Sequence, residues 1–206
     1  MSKSSLSSKA RRGASTPHRV ERRPPARDVV VLGVDPGTLV TGYAVVTRSA
    51  QGVHLRVSGI IRNATDSSMP LRLKKIYLEL RDVIERYHPD EFAIESAFYG
   101  KNAQSALKLG HARGVSILAA VVNEIPTSEY SPREVKKAVV GNGAASKEQV
   151  QFMVKSLLRT ADSAMILDAS DAIAVALCHL HRLISPTARY KDWKSFIQAH
   201  PARVIL

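Results

Sequence analysis

The sequence predicts an α/β protein in which a mixed five-stranded sheet is flanked by helices. Three β-rich runs, VVVLGVD, GYAVVTR and VHLRVSGIIRN, follow one another from residue 29 with short links between them. Short links of this kind favour an antiparallel meander. Two further short runs, DEFAIE and TSEYSP, each come after a helical pattern. This order suits a mixed sheet with helices on both faces.

The helices are predicted from the spacing of apolar residues and from the residues at their boundaries. Apolar side chains recur at helical spacing over residues 71–87, and Pro89 marks the end of that helix. Ser146 and Gln149 form a capping box at the start of another helix. This capped helix is predicted over 147–158, and the remaining helices are predicted over 102–124, 133–140 and 169–183.

Charge is distributed unevenly along the 206 residues. Thirty Lys and Arg residues against 18 Asp and Glu residues give a net charge of +12, which favours a polyanionic partner such as nucleic acid. Residues 1–28 hold eight of the basic side chains, two acidic ones and almost nothing that could enter a core, so we expect a disordered basic arm. The folded domain is expected over 29–185, followed by a C-terminal tail over 186–206.

The cysteine content and the apolar runs bear on location. A single cysteine, Cys178, excludes an internal disulfide framework and suits a reducing cytosol. The longest apolar run, 117–122, is too short to span a bilayer. We therefore expect a cytoplasmic protein without a membrane partner.

Four acidic residues lie at the ends of apolar elements. Asp35 and Glu95 each end a predicted strand, while Asp168 and Asp171 share a face of the first turn of the last helix. Each has a structural explanation as a turn residue, a strand end, an N-cap or a complement to the helix dipole. Together, in a basic domain, they also fit a metal site. Oxygen ligands without nearby Cys or His select Mg²⁺ or Mn²⁺, and two ions about 3.5–4 Å apart serve phosphate chemistry.

Four stretches resemble the RuvC family of Holliday-junction resolvases. They are GVDPGTLVTGYAVV, FAIESAFYGKNAQSALKLGHARGV, VKKAVVGNGAASKEQV and DASDAIAVALCH, and they stand in family order. The resemblance implies a ribonuclease-H-like fold and a homodimer. It also implies an Mg²⁺-dependent endonuclease that nicks two opposed strands of a four-way DNA junction symmetrically. The RuvA and RuvB branch-migration proteins are the partners that it implies.

The resemblance also implies roles for individual residues. Asp35, Glu95 and Asp168 would be the catalytic metal ligands, with Asp171 as the fourth acid. Four other residues would contact DNA, and Lys108 and Arg113 are weaker candidates for the same role. Apart from the resemblance, the small residues of segment 102–124 and the apolar run at its end predict a dimer face; burial in the domain's own core is the alternative, and the two could coexist. The four DNA-contacting residues are Lys136, Lys147, Phe98 and Lys101.

Two alternatives stand beside this interpretation. An actin-like phosphate-loop ATPase or kinase fragment would also contain Asp35, Gly37 and Gly42 in its first phosphate loop, but it needs a second related lobe, and no internal repeat supplies one. A noncatalytic junction-binding protein would need the basic surface without the four acids.

Overall fold

The computed structural model of the protein describes residues 28–96, 103–158 and 169–184. The predicted basic arm and C-terminal tail lie almost wholly outside these ranges, so the domain boundaries stay predictions. Within the described ranges the chain forms five strands and five helices. In chain order they are β1 (Val29–Asp35), β2 (Val40–Ser49), β3 (Gly52–Arg62), α1 (Met69–Tyr87), β4 (Glu91–Glu95), α2 (Ala103–Val122), β5 (Thr127–Tyr130), α3 (Pro132–Val140), α4 (Lys147–Leu158) and α5 (Ser170–Ile184).

The strands form one sheet in the order β3-β2-β1-β4-β5. The pairs β1–β2 and β2–β3 are antiparallel, whereas β4 is parallel to both β1 and β5. Helices α1 and α2 cover one face, and α3, α4 and α5 cover the other. The predicted mixed five-stranded sheet flanked by helices is therefore confirmed.

Strand β1 lies at the centre of the sheet and is buried on both faces. Val31 belongs to the apolar cluster under α3, α4 and α5, while Leu32 and Val34 belong to the cluster under α1 and α2. Successive strand residues point to opposite faces, so a strand covered on both sides needs a continuous apolar run. This requirement explains the sequence VVVLGV before Asp35.

The helix boundaries agree with the sequence except at the end of α2. The predicted capping box is confirmed, since Ser146 N–H donates to Gln149 Oε1 and Gln149 N–H donates to Ser146 Oγ. The sequence predicts residues 102–124 to be mostly helical, and α2 covers Ala103–Val122 of this range. Glu124 has a positive φ of 57°, and the Ile125 N–H bonds to the Ala120 carbonyl, which closes the helix at Val122.

Helix α2 has several large apolar side chains on its outer side. By length and composition alone it could cross a membrane. Its inner side, however, packs against α1 and the sheet through Ala112, Ser116, Ala119 and Ala120. Its outer side is polar near the start, where Lys108 and His111 are exposed, and apolar toward the end. Four apolar side chains on that outer face are more than half exposed: Leu107, Leu118, Val121 and Val122.

Helix α5 crosses β1 at very short range because β1 has a glycine there. A Cβ atom at Gly33 would lie 2.3 Å from the Ala172 carbonyl oxygen and 2.8 Å from the Ala176 Cβ atom. Real Cβ atoms do not approach other atoms so closely, so a larger residue would push α5 away from the sheet. Gly33 thus sets how deeply the first turns of α5 lie.

Replacement of Gly33 by Ala is expected to lower the free energy of unfolding by about 3 kcal/mol, because the backbone of α5 must shift. Chemical denaturation measures this change. The matched control is Gly42→Ala in β2, where an added Cβ meets the Ala172 and Asp35 Cβ atoms at ordinary contact distances of 3.5 and 3.8 Å. That variant should stay within about 1 kcal/mol of wild type, on the stabilising side. Equal losses in both variants would contradict the close-packing role of Gly33.

Candidate active site

Asp35 and Glu95 lie side by side because β1 and β4 are parallel neighbours. The register pairs Val34 with Ile94, so the next residue of each strand is the acid. The carboxyl ends of parallel strands meet at one edge of a sheet, which is where such folds place their ligands. The two carboxylates that the sequence predicted to converge are therefore brought together by backbone pairing.

The turn after Asp35 does not use the Asp35 side chain. Thr41 Oγ1 donates to the Gly37 carbonyl at 2.7 Å and accepts from the Gly37 N–H at 3.3 Å. Among the described residues, none donates a hydrogen bond to the Asp35 or the Glu95 carboxylate. Thr41 holds the turn, and Asp35 is left available for a ligand.

The first turn of α5 brings a third acid to the same place. Lys147, the first residue of α4, donates from Nζ to Asp171 Oδ2 at 2.8 Å. One helical turn further along α4, Gln151 Nε2 donates to Ser170 Oγ at 3.4 Å. These two contacts join the starts of α4 and α5. The Gln151 contact was not predicted, because its two residues are 19 positions apart and neither carries a local pattern.

The three acids Asp35, Glu95 and Asp171 line a cleft of about 220 Å³. Five residues that the sequence predicted for the site line it together. The walls between them are apolar, which lowers the local dielectric and strengthens each electrostatic interaction. The five predicted residues are Asp35, Glu95, Lys136, Lys147 and Asp171, and the other lining residues are Pro132, Val135, Val150 and Ala174.

The other predicted site residues are either outside the described residues or on α2. Asp168, Phe98 and Lys101 lie outside the described residues. Lys108 and Arg113 are on α2 and do not line the cleft, and Arg113 forms an ion pair with Glu129. The sequence therefore located the acids and the two lysines of the cleft but not its apolar walls.

Burial and mutual repulsion raise the pKa values of both strand-end acids. Desolvation, followed by the charge of Asp171, raises the pKa of Asp35 to about 6 from its usual value of 3.8. Desolvation, followed by the charges of Asp35 and Asp171, raises the pKa of Glu95 to about 7 from 4.5. Lys147 opposes both shifts, and Lys136 opposes the shift of Glu95. The charged forms of these acids are therefore destabilised until a cation arrives.

The donor chemistry fits a hard divalent cation. The site offers carboxylate oxygens that receive no hydrogen bond from described residues, in a partly buried cleft without Cys or His ligands. Within the described ranges, no group of three acidic, His or Cys side chains is already close enough to hold an ion. Asp168, the third predicted ligand, lies outside the described ranges.

Comparison with known proteins identifies the family. The family model described as "Crossover junction endodeoxyribonuclease RuvC" matches residues 31–179. A relative of that name from Salinibacter ruber is 46% identical over 177 residues, covering 85% of this chain and 99% of the relative. A relative of the same name from Chloroherpeton thalassium is 45% identical over 185 residues, covering 86% of this chain and 100% of the relative.

A solved structure agrees with the sequence match. Thermus thermophilus RuvC in complex with a Holliday junction substrate superimposes with a TM-score of 0.70 at 30% identity. The match covers 75% of this chain and 94% of that one. The ribonuclease-H-like fold that the resemblance implied is confirmed by this match together with the sheet order. The chain belongs to the RuvC family of crossover junction endodeoxyribonucleases.

Proposed function

We propose that this protein is a structure-selective endonuclease that resolves four-way DNA junctions by paired symmetric nicks during recombination and repair. The observation that carries the proposal is the single cleft in which Asp35, Glu95 and Asp171 meet Lys136 and Lys147. Acids that bind a cation and lysines that bind phosphate are the two components of a metal-dependent phosphodiesterase. Family membership supplies the junction as the substrate.

The proposed cofactor is Mg²⁺, with Mn²⁺ as a substitute and two ions in each site. Asp35, Glu95 and Asp168 would hold the ions, and Asp171 would be the fourth acid. Bound ions of this kind supply an activated water and stabilise charge on the leaving oxygen. The raised pKa values of Asp35 and Glu95 support this assignment, since a cation is the natural partner for carboxylates that burial and repulsion destabilise.

Lys136 and Lys147 would hold the scissile phosphate. Water attacks phosphorus in line, the bond from phosphorus to the 3′ oxygen breaks, and that oxygen leaves with a proton. The products are a 5′-phosphate and a 3′-hydroxyl, which a ligase can rejoin. Asp171 already orients Lys147 toward the cleft, and this contact raises the pKa of Lys147, which keeps it charged for phosphate. Phe98 and Lys101 are proposed to contact DNA beyond the scissile position.

Two opposed strands require two sites, which a twofold-symmetric dimer supplies. We propose that the outer face of α2 forms the dimer contact. Its exposed leucines and valines support this, and so do Gly110 and Gly114, where an added Cβ meets nothing within 4 Å in the single chain. An apolar helix face with small residues allows a second copy to approach closely.

We propose that the protein acts in the cytoplasm. Cys178 is a free, buried thiol, which suits the reducing cytoplasm. RuvA and RuvB are proposed as partners on family resemblance alone. The net charge of +12 supports strong, salt-dependent binding to DNA.

The direct test incubates the protein with a labelled four-way junction or a linear duplex of the same sequence, with Mg²⁺ or with a chelator. Cutting is expected only of the junction, only with Mg²⁺, and at symmetric positions.

Asp35→Asn should lower the cutting rate by more than about 100-fold, since losing even a residue that hydrogen-bonds to a metal ligand costs 10–100-fold. Binding of the junction without metal should survive this change.

The control for Asp35→Asn is Asp66→Asn, which alters an exposed acid in the loop before α1. Its cutting rate should match wild type. Equal cutting of both DNAs would indicate a general nuclease instead. Junction binding with no cutting by wild type would favour the noncatalytic alternative.

The stability of the metal-free protein should fall as pH rises from about 4 to about 7. In that interval the folded protein binds more protons than the unfolded chain, because the folded pKa values of Asp35 and Glu95 are raised. The loss of stability caused by the ionised carboxylates is fully present well above pH 7 and absent well below pH 4. Asp35→Asn should therefore raise the free energy of unfolding at pH 8 by about 1–2 kcal/mol, with no gain at pH 4.

Urea denaturation with a chelator, at both pH values, measures this difference. Asp66→Asn is again the control and should show no such pH-dependent gain. Added Mg²⁺ should stabilise wild type more than Asp35→Asn. A variant less stable than wild type at pH 8 would contradict the electrostatic account of the site.

The dimer contact is tested with Leu118→Glu. A buried unpaired carboxylate costs about 3 kcal/mol, so the dimer dissociation constant should rise by about 100-fold. Sedimentation velocity measures the mass, and the junction assay should show single nicks in place of paired ones. The control is Leu71→Glu, which changes a similarly exposed leucine on α1. An unchanged dimer for Leu118→Glu would place the interface elsewhere.

A further inference from the structure

Tyr130 connects three elements that contribute to the cleft. It is the last residue of β5 and is paired with Glu95 across the sheet. Its carbonyl accepts the Ser96 N–H at 2.7 Å, which fixes the chain directly after Glu95. The residue after it, Ser131, caps α3 in a reciprocal box with Glu134. The backbone around Tyr130 thus supports both the Glu95 carboxylate and the helix that carries Lys136.

The side chain of Tyr130 makes a further connection, to α5. Its hydroxyl lies 2.7 Å from His179 Nδ1, and the two rings meet edge to face with centroids 5.7 Å apart. Both residues are buried, with exposures of 2% and 3%. A hydrogen bond in such a site is costly to lose, because water cannot replace the missing partner.

The protonation of His179 determines the direction of this bond. Burial, followed by the charge of Arg182, lowers the pKa of His179 to about 4, so the ring is neutral at pH 7 and carries one N–H. Nε2 lies 3.4 Å from Glu91 Oε2, and a carboxylate only accepts. The Tyr130 hydroxyl therefore donates to Nδ1, and the Nε2–H faces Glu91 without forming a hydrogen bond with any described residue. His179 and Glu91 are therefore not an ion pair at neutral pH.

Between its two ends, the packing of helix α5 is non-directional except at His179. Every residue from Ala172 to Leu180 is buried, and apart from His179 all of them are apolar or weakly polar. Small apolar side chains fix how close a helix lies, but they fix its rotation and its sliding weakly, whereas a hydrogen bond between rigid rings restricts both. The other directional contacts of α5 lie at its ends, from Lys147 and Gln151 at the start and from His181 to the Ala138 carbonyl near the finish. Asp171 lies two turns before His179 on the same helix, so the buried bond of His179 contributes to the placement of Asp171 together with the Lys147 contact.

We infer that Tyr130 is a positioning residue for the metal site: its hydroxyl, through His179, sets α5 so that Asp171 faces Asp35 and Glu95. Tyr130 does not touch the cleft and acts only through other residues. The inference rests on the proposed function, since it assumes that Asp35 and Glu95 hold the metal and that Asp171 acts beside them as the fourth acid. It concerns how the protein prepares the site before metal and DNA bind.

The test is Tyr130→Phe, which removes the hydroxyl and keeps the ring and the backbone contacts. With the folded variant, kcat for junction cutting should fall by about 10-fold to 100-fold with KM unchanged, as for other residues that support metal ligands. The Mg²⁺ concentration for half-maximal rate should rise several-fold. Calorimetric titration with Mg²⁺ alone, without DNA, should show the same weakening.

The matched control is Tyr43→Phe, a half-buried tyrosine on the opposite face of the sheet. Its kcat and its Mg²⁺ affinity should equal those of wild type. His179→Leu should lower kcat and Mg²⁺ affinity as Tyr130→Phe does, and the double variant should lose clearly less than the sum of the two single losses, because the Tyr130–His179 bond is shared while the contacts of Tyr130 with Ser128 and Arg182 and of His179 with Glu91 are not. His179→Asn should retain part of the activity, since its side-chain oxygen can accept the Tyr130 hydroxyl near the former Nδ1 position.

Wild-type kcat and Mg²⁺ affinity in folded Tyr130→Phe would overturn the inference, and so would additive losses in the double variant. If Tyr130→Phe fails to fold, the comparison of His179→Asn with His179→Leu makes the same test. Failure of the proposed function gives a different result. In that case wild type cuts no junction, while Mg²⁺ titration still reports whether Tyr130 positions the acids.

Discussion

The parallel pairing of β1 with β4 is the constraint on which the rest of the structure depends. It places Asp35 next to Glu95 at one edge of the sheet, whatever the side chains themselves prefer. The cost is electrostatic, since both acids are partly buried, and since the charge of Asp171 raises the pKa of Asp35 while the charges of Asp35 and Asp171 raise the pKa of Glu95. The free energy gained by burying the apolar strand residues before these acids, on both faces of the sheet, offsets this electrostatic cost. A stable core thus holds in place two carboxylates that would not meet otherwise, which is a common arrangement at functional sites.

Helix α5 completes the site from above the sheet, and it is held by two different kinds of contact. Near its start, Gly33 lets the helix backbone lie against β1, and Lys147 binds Asp171. Near its end, His179 bonds to the Tyr130 hydroxyl. Close packing sets the depth of the helix, whereas the polar contacts set its rotation and its position along the sheet. The acid of the first turn depends on both, because a helix moves largely as a rigid rod over two turns.

The distribution of charge explains how an acidic site can serve a polyanionic substrate. The chain has a net charge of +12, and the acids of the cleft stand beside Lys136 and Lys147. Under the proposed function, the lysines would attract phosphate and the acids would hold the metal. Lys147 would serve both requirements, because it neutralises part of the acidic charge through Asp171 and remains at the surface of the cleft. One small group of side chains with opposite charges would then carry both properties.

The sequence by itself determined the local features of this protein. Strand patterns, the span of α4, the capping box at Ser146 and the acids at element ends all follow from neighbours a few positions apart, and the family motifs made the site assignment specific. Only the tertiary structure decided which distant groups meet. Tyr130 and His179 are 49 positions apart, and Lys147 and Asp171 are 24 apart. Periodicity and capping are short-range effects, whereas these contacts depend on strand order and on the depth of α5, for which no local pattern is diagnostic.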